Sequence, residues 1–230
     1  MAGRLAERLL AAGGLGAVGP DVPWVEVTLR SPPPLGQPIA IRVSDDAQQL
    51  SAQRDGTLVA EARRLPGPAP GAARVEPVDI RVAQDAEVTY LGLRTHPFPT
   101  CWVCGPSRPD HDGYDLRPGR LDDDRTACVW TVSDDGLGDG PSPRASAVWA
   151  ALDCPGAWTA LDGSTALVLG RISAQVAAVP AVGGRCVVMG RLLGTEGRKS
   201  FTATTVYATT DDGTLTEPLG SAVATWIALG

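Results

Sequence analysis

The segment RASAVWAALDCPGAW, residues 144–158, has the strongest helical pattern in the chain. Val148, Ala151 and Leu152 recur at the i, i+3 and i+4 spacing of one helix face. Pro155 removes a backbone donor and disfavours the helical conformation in the residue before it, so the sequence predicts a break there. The small residues permit close packing, and the segment therefore predicts an interrupted helix that lies against a sheet.

Asp153 lies at this predicted break, beside apolar neighbours. Two interpretations of its carboxylate stay open. In the first, the carboxylate caps a second helical turn that begins at Pro155. In the second, it is a reactive group beside backbone N–H groups that the break leaves without partners.

Composition limits the classes of function. The chain has 230 residues, which suits one large domain or two small ones, and a net charge of −6. The negative charge argues against a nucleic-acid partner, because non-specific binding of that kind needs a basic surface. No apolar run reaches the length of about 18 residues that a membrane span needs. Glu7 and Arg8 interrupt the apolar N-terminal stretch, so we expect no signal peptide, no membrane partner and a cytoplasmic location.

The two halves of the chain repeat one order of elements, a helix followed by four strands. The tetrapeptide DGTL recurs in both halves, at 55–58 and 212–215, and supports a duplication. A helix followed by an antiparallel meander buries its apolar face against the sheet. The predicted elements are a helix at 3–12 with strands at 24–29, 39–43, 48–52 and 57–62, then a strand at 126–132 and the interrupted helix at 144–158 with strands at 166–176, 185–191, 199–207 and 221–227.

Three segments carry a resemblance to a known family: HPFPTCWVCGP at 96–106, WAALDCPG at 149–156 and ATWI at 224–227. With the repeated helix and meander, the chain resembles the hotdog superfamily, and more narrowly the actinobacterial thioesterase-like proteins of double-hotdog form. The resemblance spans nearly the whole chain. It implies an α+β double hotdog, in which a curved antiparallel sheet wraps a central helix.

The resemblance also implies a division of the chain. We expect an abbreviated N-terminal hotdog half at 1–95, because no strand precedes its helix. A connector that contains Cys and His follows at 96–119, and a C-terminal hotdog half occupies 120–230. A homodimer or a larger homo-oligomer is the expected assembly.

In thioesterases of this superfamily, a helix carboxylate acts as general base or nucleophile on the acyl-CoA carbonyl, and Asp153 matches that acid by its place on the helix. We expect the N–H groups of Gly156 and Ala157 to contact the thioester oxygen or a phosphate. Trp149 and Trp158 are expected to line an acyl pocket. The predicted function is hydrolysis of an acyl-CoA or acyl-carrier thioester without a cofactor. The alternatives are a hydratase-like lyase on a thioester and a non-catalytic acyl or small-ligand binding protein.

Arg198 and Lys199 lie in a predicted turn between two strands. They are candidates for contacts with the phosphates of coenzyme A at the sheet edge. The alternative interpretation is a solvated hairpin tip.

Cys101 and Cys104 have the two-residue spacing of a zinc knuckle, and His96 and His111 flank them. We expect a structural loop with packed thiols and no bound metal, and the alternatives are a zinc site formed by these four residues and a redox pair. Cys154 is either a nucleophile or a buried helix cysteine. The odd total of five cysteines in a chain of this kind predicts no disulfide framework.

Overall fold

One antiparallel sheet of ten strands dominates the described part of the chain, which in this computed structural model covers residues 1–72, 74–108, 112–121, 124–133, 144–210 and 212–229. The helices are α1 (Ala2–Ala12), α2 (Ile80–Ala86), α3 (Ala145–Ala151) and α4 (Cys154–Ala160). The strands are β1 (Val25–Leu29), β2 (Ala40–Val43), β3 (Gln49–Arg54), β4 (Thr57–Arg64), β5 (Gly119–Arg120), β6 (Arg125–Thr131), β7 (Leu167–Val176), β8 (Arg185–Glu196), β9 (Lys199–Thr209) and β10 (Leu215–Ala228).

The order of the strands shows the predicted duplication. The order is β2-β3-β4-β1-β7-β10-β9-β8-β6-β5, so outward from the β1–β7 junction each half adds its fourth, third and second strand. At the junction residues 25–28 of β1 pair in antiparallel register with residues 171–174 of β7, with Val25 opposite Ala174. Strands β6 and β5 extend the C-terminal half alone, and the N-terminal half is abbreviated at the corresponding edge.

The two DGTL segments occupy equivalent places. One lies at the β3–β4 turn and the other at the β9–β10 turn, each joining the third and fourth strand of its half. Gly56 has a φ of +79° and Gly213 a φ of +85°, a conformation that glycine adopts without the steric cost of a Cβ. Each tetrapeptide therefore places a glycine where the turn needs a positive φ.

Helices α1, α3 and α4 share one hydrophobic core with the inward faces of both halves of the sheet. Helix α1 is amphipathic, and Leu5, Ala6, Leu9 and Leu10 form its buried face. Because α1 also packs against α3, the central helices of the two halves meet inside one core. None of the helices in the described residues is long and apolar enough to cross a bilayer.

The predicted helix break is present between α3 and α4. Helix α3 closes with a hydrogen bond from the N–H of Leu152 to Val148 O, and Asp153 then has φ −76° and ψ −84°, outside the helical region. Pro155 follows in the first turn of α4, where its missing N–H costs nothing.

The outer face of the C-terminal half is covered by α2 and the segment before it. A second apolar cluster joins Ile80 and Ala83 of this cover to Val187 and Met189 of β8. Two hydrogen bonds of Val75 attach the segment before α2 to β9. The Val75 N–H donates to Thr205 Oγ1 at 3.0 Å, and the Val75 carbonyl accepts from the Tyr207 hydroxyl at 2.8 Å. Residues that precede the connector thus pack on the sheet of the other half.

Candidate active site

A cavity of about 520 Å³ lies where the first turn of α1 meets α3, the start of α4 and the connector. Both halves and the connector contribute to its wall, which has an apolar and aromatic part and a small number of polar groups, as ligand sites usually do. Besides residues 1–4, the wall includes Cys101, Trp102, Tyr114, Trp149, Asp153 and Ile172.

Asp153 lines this cavity and is half-buried. Its side chain makes no capping hydrogen bond to α4, although the residue stands at the N-cap position. Burial, and next the negative charge of Cys101, raise the pKa of Asp153 to about 7, while the N-terminal ammonium group opposes the shift. A carboxyl group with such a pKa is suited to proton transfer near neutral pH.

The first turn of α1 lines the same cavity. The first N–H groups of a helix have no acceptor within the helix, and no side chain caps α1. A Cβ on Gly3 would lie 2.8 Å from the Ser146 Cα and 2.8 Å from the Trp149 Cβ, so glycine allows this turn to approach α3 closely. The partial positive charge of a helix N-terminus therefore belongs to the same cavity as Asp153.

Gly156 and Ala157 are buried at the start of α4, and neither is among the residues that line the cavity. A Cβ on Gly156 would lie 2.6 Å from Thr202 Oγ1 and 2.8 Å from Thr204 Oγ1. This glycine thus lets α4 pack directly on β9.

The two tryptophans predicted to form one pocket lie in different surroundings. Trp149 lines the cavity with Asp153, whereas Trp158 lines a separate cavity of about 220 Å³ together with His96. The Trp158 indole N–H donates to Cys104 Sγ at 3.4 Å, and its ring meets Tyr90 edge-on at 4.7 Å.

Arg198 and Lys199 lie at the turn between β8 and β9. Arg198 Nε donates to Ala228 O at 3.0 Å, and Lys199 pairs with Ile227 in the sheet. Neither residue lines the cavity that contains Asp153.

Three cysteines from two parts of the chain converge beside Asp153. The sulfurs of Cys101, Cys104 and Cys154 all lie within 4.8 Å of one another, and Cys101 Sγ is 3.7 Å from Cys154 Sγ. His96 Nε2 is 3.4 Å from Cys104 Sγ, whereas His111 lies outside the described residues. We name Cys101, Cys104 and Cys154 the thiol cluster.

The contacts within the thiol cluster shift the pKa values of its members in opposite directions. Hydrogen bonds from the thiols of Cys104 and Cys154 lower the pKa of Cys101. The same contacts with Cys101 raise the pKa of both donors. Sequence reasoning missed Cys154 as a member of the cluster. The only available signal was its position at the predicted helix break, next to Asp153.

Neither a protein-family model nor a curated protein sequence matches the chain. Solved structures do match over its full length. The tesB protein of Mycobacterium avium subspecies paratuberculosis has a TM-score of 0.61 at 16% identity, over 100% of this chain and 87% of that chain. A protein of Alicyclobacillus acidocaldarius described by its hot dog fold has a TM-score of 0.57 at 14% identity, over 99% of this chain and 86% of that chain.

These similarities show the fold. The chain has the hotdog fold in its double form, with one curved antiparallel sheet around the helices of both halves. The α+β double hotdog that the sequence predicts is therefore confirmed.

Proposed function

We propose that the chain is a thioester hydrolase, acting on an acyl-CoA or acyl-carrier thioester with Asp153 as its general base. One observation carries the proposal: a half-buried carboxylate without a capping role lines a cavity that both hotdog halves build. The aromatic wall of Trp102, Tyr114 and Trp149 supplies an apolar surface for an acyl group.

The reaction needs one proton acceptor and one electrophilic contact. Asp153 removes a proton from water as the water oxygen attacks the carbonyl carbon of the thioester. The C–S bond of the tetrahedral intermediate then breaks, and Asp153 returns the proton to the departing thiolate. The products are a carboxylic acid and a thiol.

The first turn of α1 is our candidate for stabilising the oxyanion of the intermediate. Its first N–H groups stand at the positive end of an 11-residue helix, and residues 1–4 line the cavity. They would take the role that the sequence predicted for the N–H groups of Gly156 and Ala157, which do not line the cavity.

The lyase alternative requires a histidine beside Asp153. The described residues support a lyase less well than a hydrolase. His96 Nδ1 accepts a hydrogen bond from the Phe98 N–H at 3.0 Å, and His96 Nε2 faces Cys104. This histidine lines the smaller cavity and not the one with Asp153.

The test measures the hydrolysis of acyl-CoA thioesters of increasing acyl-chain length. Chromatography quantifies the free thiol that the reaction releases. Asp153→Asn should lower kcat/KM by about 100-fold or more, because an amide cannot accept the proton. Asp85→Asn, at an exposed site on α2, is the matched control and should keep wild-type activity. Circular dichroism and thermal melting should show the same fold in all three proteins.

The other outcomes are equally informative. Full activity in Asp153→Asn would refute the assignment of the base. Hydration of an enoyl thioester by the wild type, without hydrolysis, would favour the lyase. Saturable binding of an acyl-CoA without any turnover would favour the binding protein.

A further inference from the structure

The thiol cluster has the spacing of a metal site. A tetrahedral zinc ion with Zn–S distances of about 2.3 Å holds its sulfurs about 3.8 Å apart. The Sγ atoms of Cys101 and Cys154 lie 3.7 Å apart, and the three sulfurs of the cluster all lie within 4.8 Å of one another. A disulfide would need about 2.05 Å between two sulfurs, so the contacts are those of separate thiols.

A tight backbone turn fixes the loop that carries Cys101 and Cys104. Gly105 closes this turn by donating its N–H to Cys101 O at 2.9 Å. A Cβ on Gly105 would lie 2.4 Å from Cys101 N, so a larger residue would disrupt the turn. The turn therefore fixes the position of Cys101 relative to Cys104.

Cys104 receives N–H donors from side chains. Trp158 Nε1 donates to Cys104 Sγ at 3.4 Å. The Phe98 N–H donates to His96 Nδ1, which leaves the proton of a neutral imidazole on Nε2, 3.4 Å from the same sulfur. A neutral thiol is a weak acceptor, whereas a metal-bound thiolate accepts such bonds well. His96 therefore supports a ligand and is not itself one.

Tyr90 holds Cys104 from the other side. Its hydroxyl donates to Cys104 O at 2.7 Å, and Tyr90 is 2% exposed. Cys154 is held by α4, since Thr126 Oγ1 donates to the Pro155 carbonyl at 2.8 Å. Buried contacts thus hold Cys104 and Cys154 in place before any ion binds.

We propose that Cys101, Cys104 and Cys154 bind a zinc ion as thiolates, with water from the Asp153 cavity as the fourth ligand. Cys101 and Cys154 line that cavity, which gives solvent access to the remaining position. Zinc suits this set because thiolates are its common ligands and because three protein ligands with one water form a known zinc arrangement. Binding releases the protons of the thiols and fastens the connector to α4.

The test is the metal content of the full chain, purified under reducing conditions without chelators and measured by plasma mass spectrometry. The wild type should carry stoichiometric zinc. Cys154→Ala should lower the apparent zinc affinity by about 100-fold or more in competition with a chelating dye. Cys186→Ala is the matched control, because Cys186 is a buried strand cysteine outside the thiol cluster, and it should bind zinc as the wild type does.

His96→Gln separates the roles of ligand and supporting residue. It should retain stoichiometric zinc with an affinity about 10- to 100-fold lower, as expected for the loss of a hydrogen bond to a ligand. Loss of zinc equal to that in Cys154→Ala would make His96 the fourth ligand and refute the water position.

X-ray absorption on the wild type keeps the proposal testable if the cysteine variants do not fold. Sulfur scatterers at about 2.3 Å from zinc, with one lighter neighbour, are the expected result. A wild-type chain that holds no zinc and takes up none on titration would refute the site. So would zinc without sulfur neighbours. Neither outcome depends on thioester hydrolysis.

Discussion

Glu7 of α1 caps α3 of the other half: Glu7 Oε1 accepts a hydrogen bond from the Ser146 backbone N–H at 2.8 Å. Helix α3 has no side-chain cap of its own, so its first turn depends on this carboxylate. The negative charge also complements the positive end of the helix. The helix of one half thereby positions the helix that leads to Asp153.

Loss of this contact should be measurable. Glu7→Ala is expected to lower the free energy of unfolding by about 1 kcal/mol, because a helix loses its cap and a favourable charge. Glu7→Gln keeps an oxygen acceptor and should lose less. Urea denaturation of both variants checks this, and equal stability of Glu7→Ala and the wild type would contradict it.

Gly3→Ala tests the close approach of α1 to α3. The added Cβ would lie 2.8 Å from two atoms of α3, so the helices must move apart. We expect a loss of about 1–3 kcal/mol in the free energy of unfolding, as for overpacked cores. Gly67→Ala is the control, since a Cβ there meets no atom within 4 Å and should leave stability unchanged. Similar melting of the two variants would argue against tight packing at Gly3.

Trp102→Ala tests the aromatic wall of the cavity. Trp102 is 39% exposed, and the Arg108 guanidinium lies 4.5 Å above its ring. If the acyl group packs against this ring, the variant should have a higher KM and an unchanged kcat, because the contact is the same in the ground state and transition state. Phe98→Ala, an exposed aromatic residue outside the cavity wall, should change neither constant.

Glu87 gives a pH dependence of stability. Its carboxylate accepts the Val129 N–H at 2.8 Å, and burial raises the pKa of Glu87 above its ordinary 4.5. The nearby charges of Arg117 and Arg185 lower this pKa and that of Asp115 raises it. The unfolded chain therefore releases this proton at lower pH than the folded chain, so ionisation of Glu87 lowers the free energy of unfolding as pH rises.

Glu87→Gln removes this titration and keeps an oxygen acceptor for Val129. Its stability relative to the wild type should increase as the pH rises above the ordinary pKa of a glutamate, where the unfolded chain releases this proton. Denaturation at several pH values measures the difference. Glu217→Gln is the control, because that side chain is 88% exposed and its charge stays solvated. A constant difference for Glu87→Gln would contradict the pKa direction.

The local elements were predictable because their signals are local. Pro155 predicts the break between α3 and α4 by its missing donor, and the two DGTL turns predict equivalent hairpins by their glycines. The helical spacing of 144–152 predicts a buried helix. The resemblance then supplied the arrangement of these elements, which the solved structures confirm.

The composition of the sites was less predictable because it depends on distant contacts. Cys154 joins Cys101 across 53 residues of sequence, and no local pattern links them. Trp149 and Trp158 were predicted to line one acyl pocket because both flank Asp153. In the structure they lie on either side of the helix break and line two different cavities. The packing of α2 on the opposite half depends on Val75 and Tyr207, which the sequence places far apart.

The pairing of β1 with β7 within one chain determines how assembly of the cavity depends on protein concentration. The cavity needs both halves, and in this chain the halves are joined covalently, so they assemble by a unimolecular step. Dilution cannot separate them. The fraction of assembled cavities is therefore independent of protein concentration, whereas a cavity shared by two separate subunits would be lost below their dissociation constant.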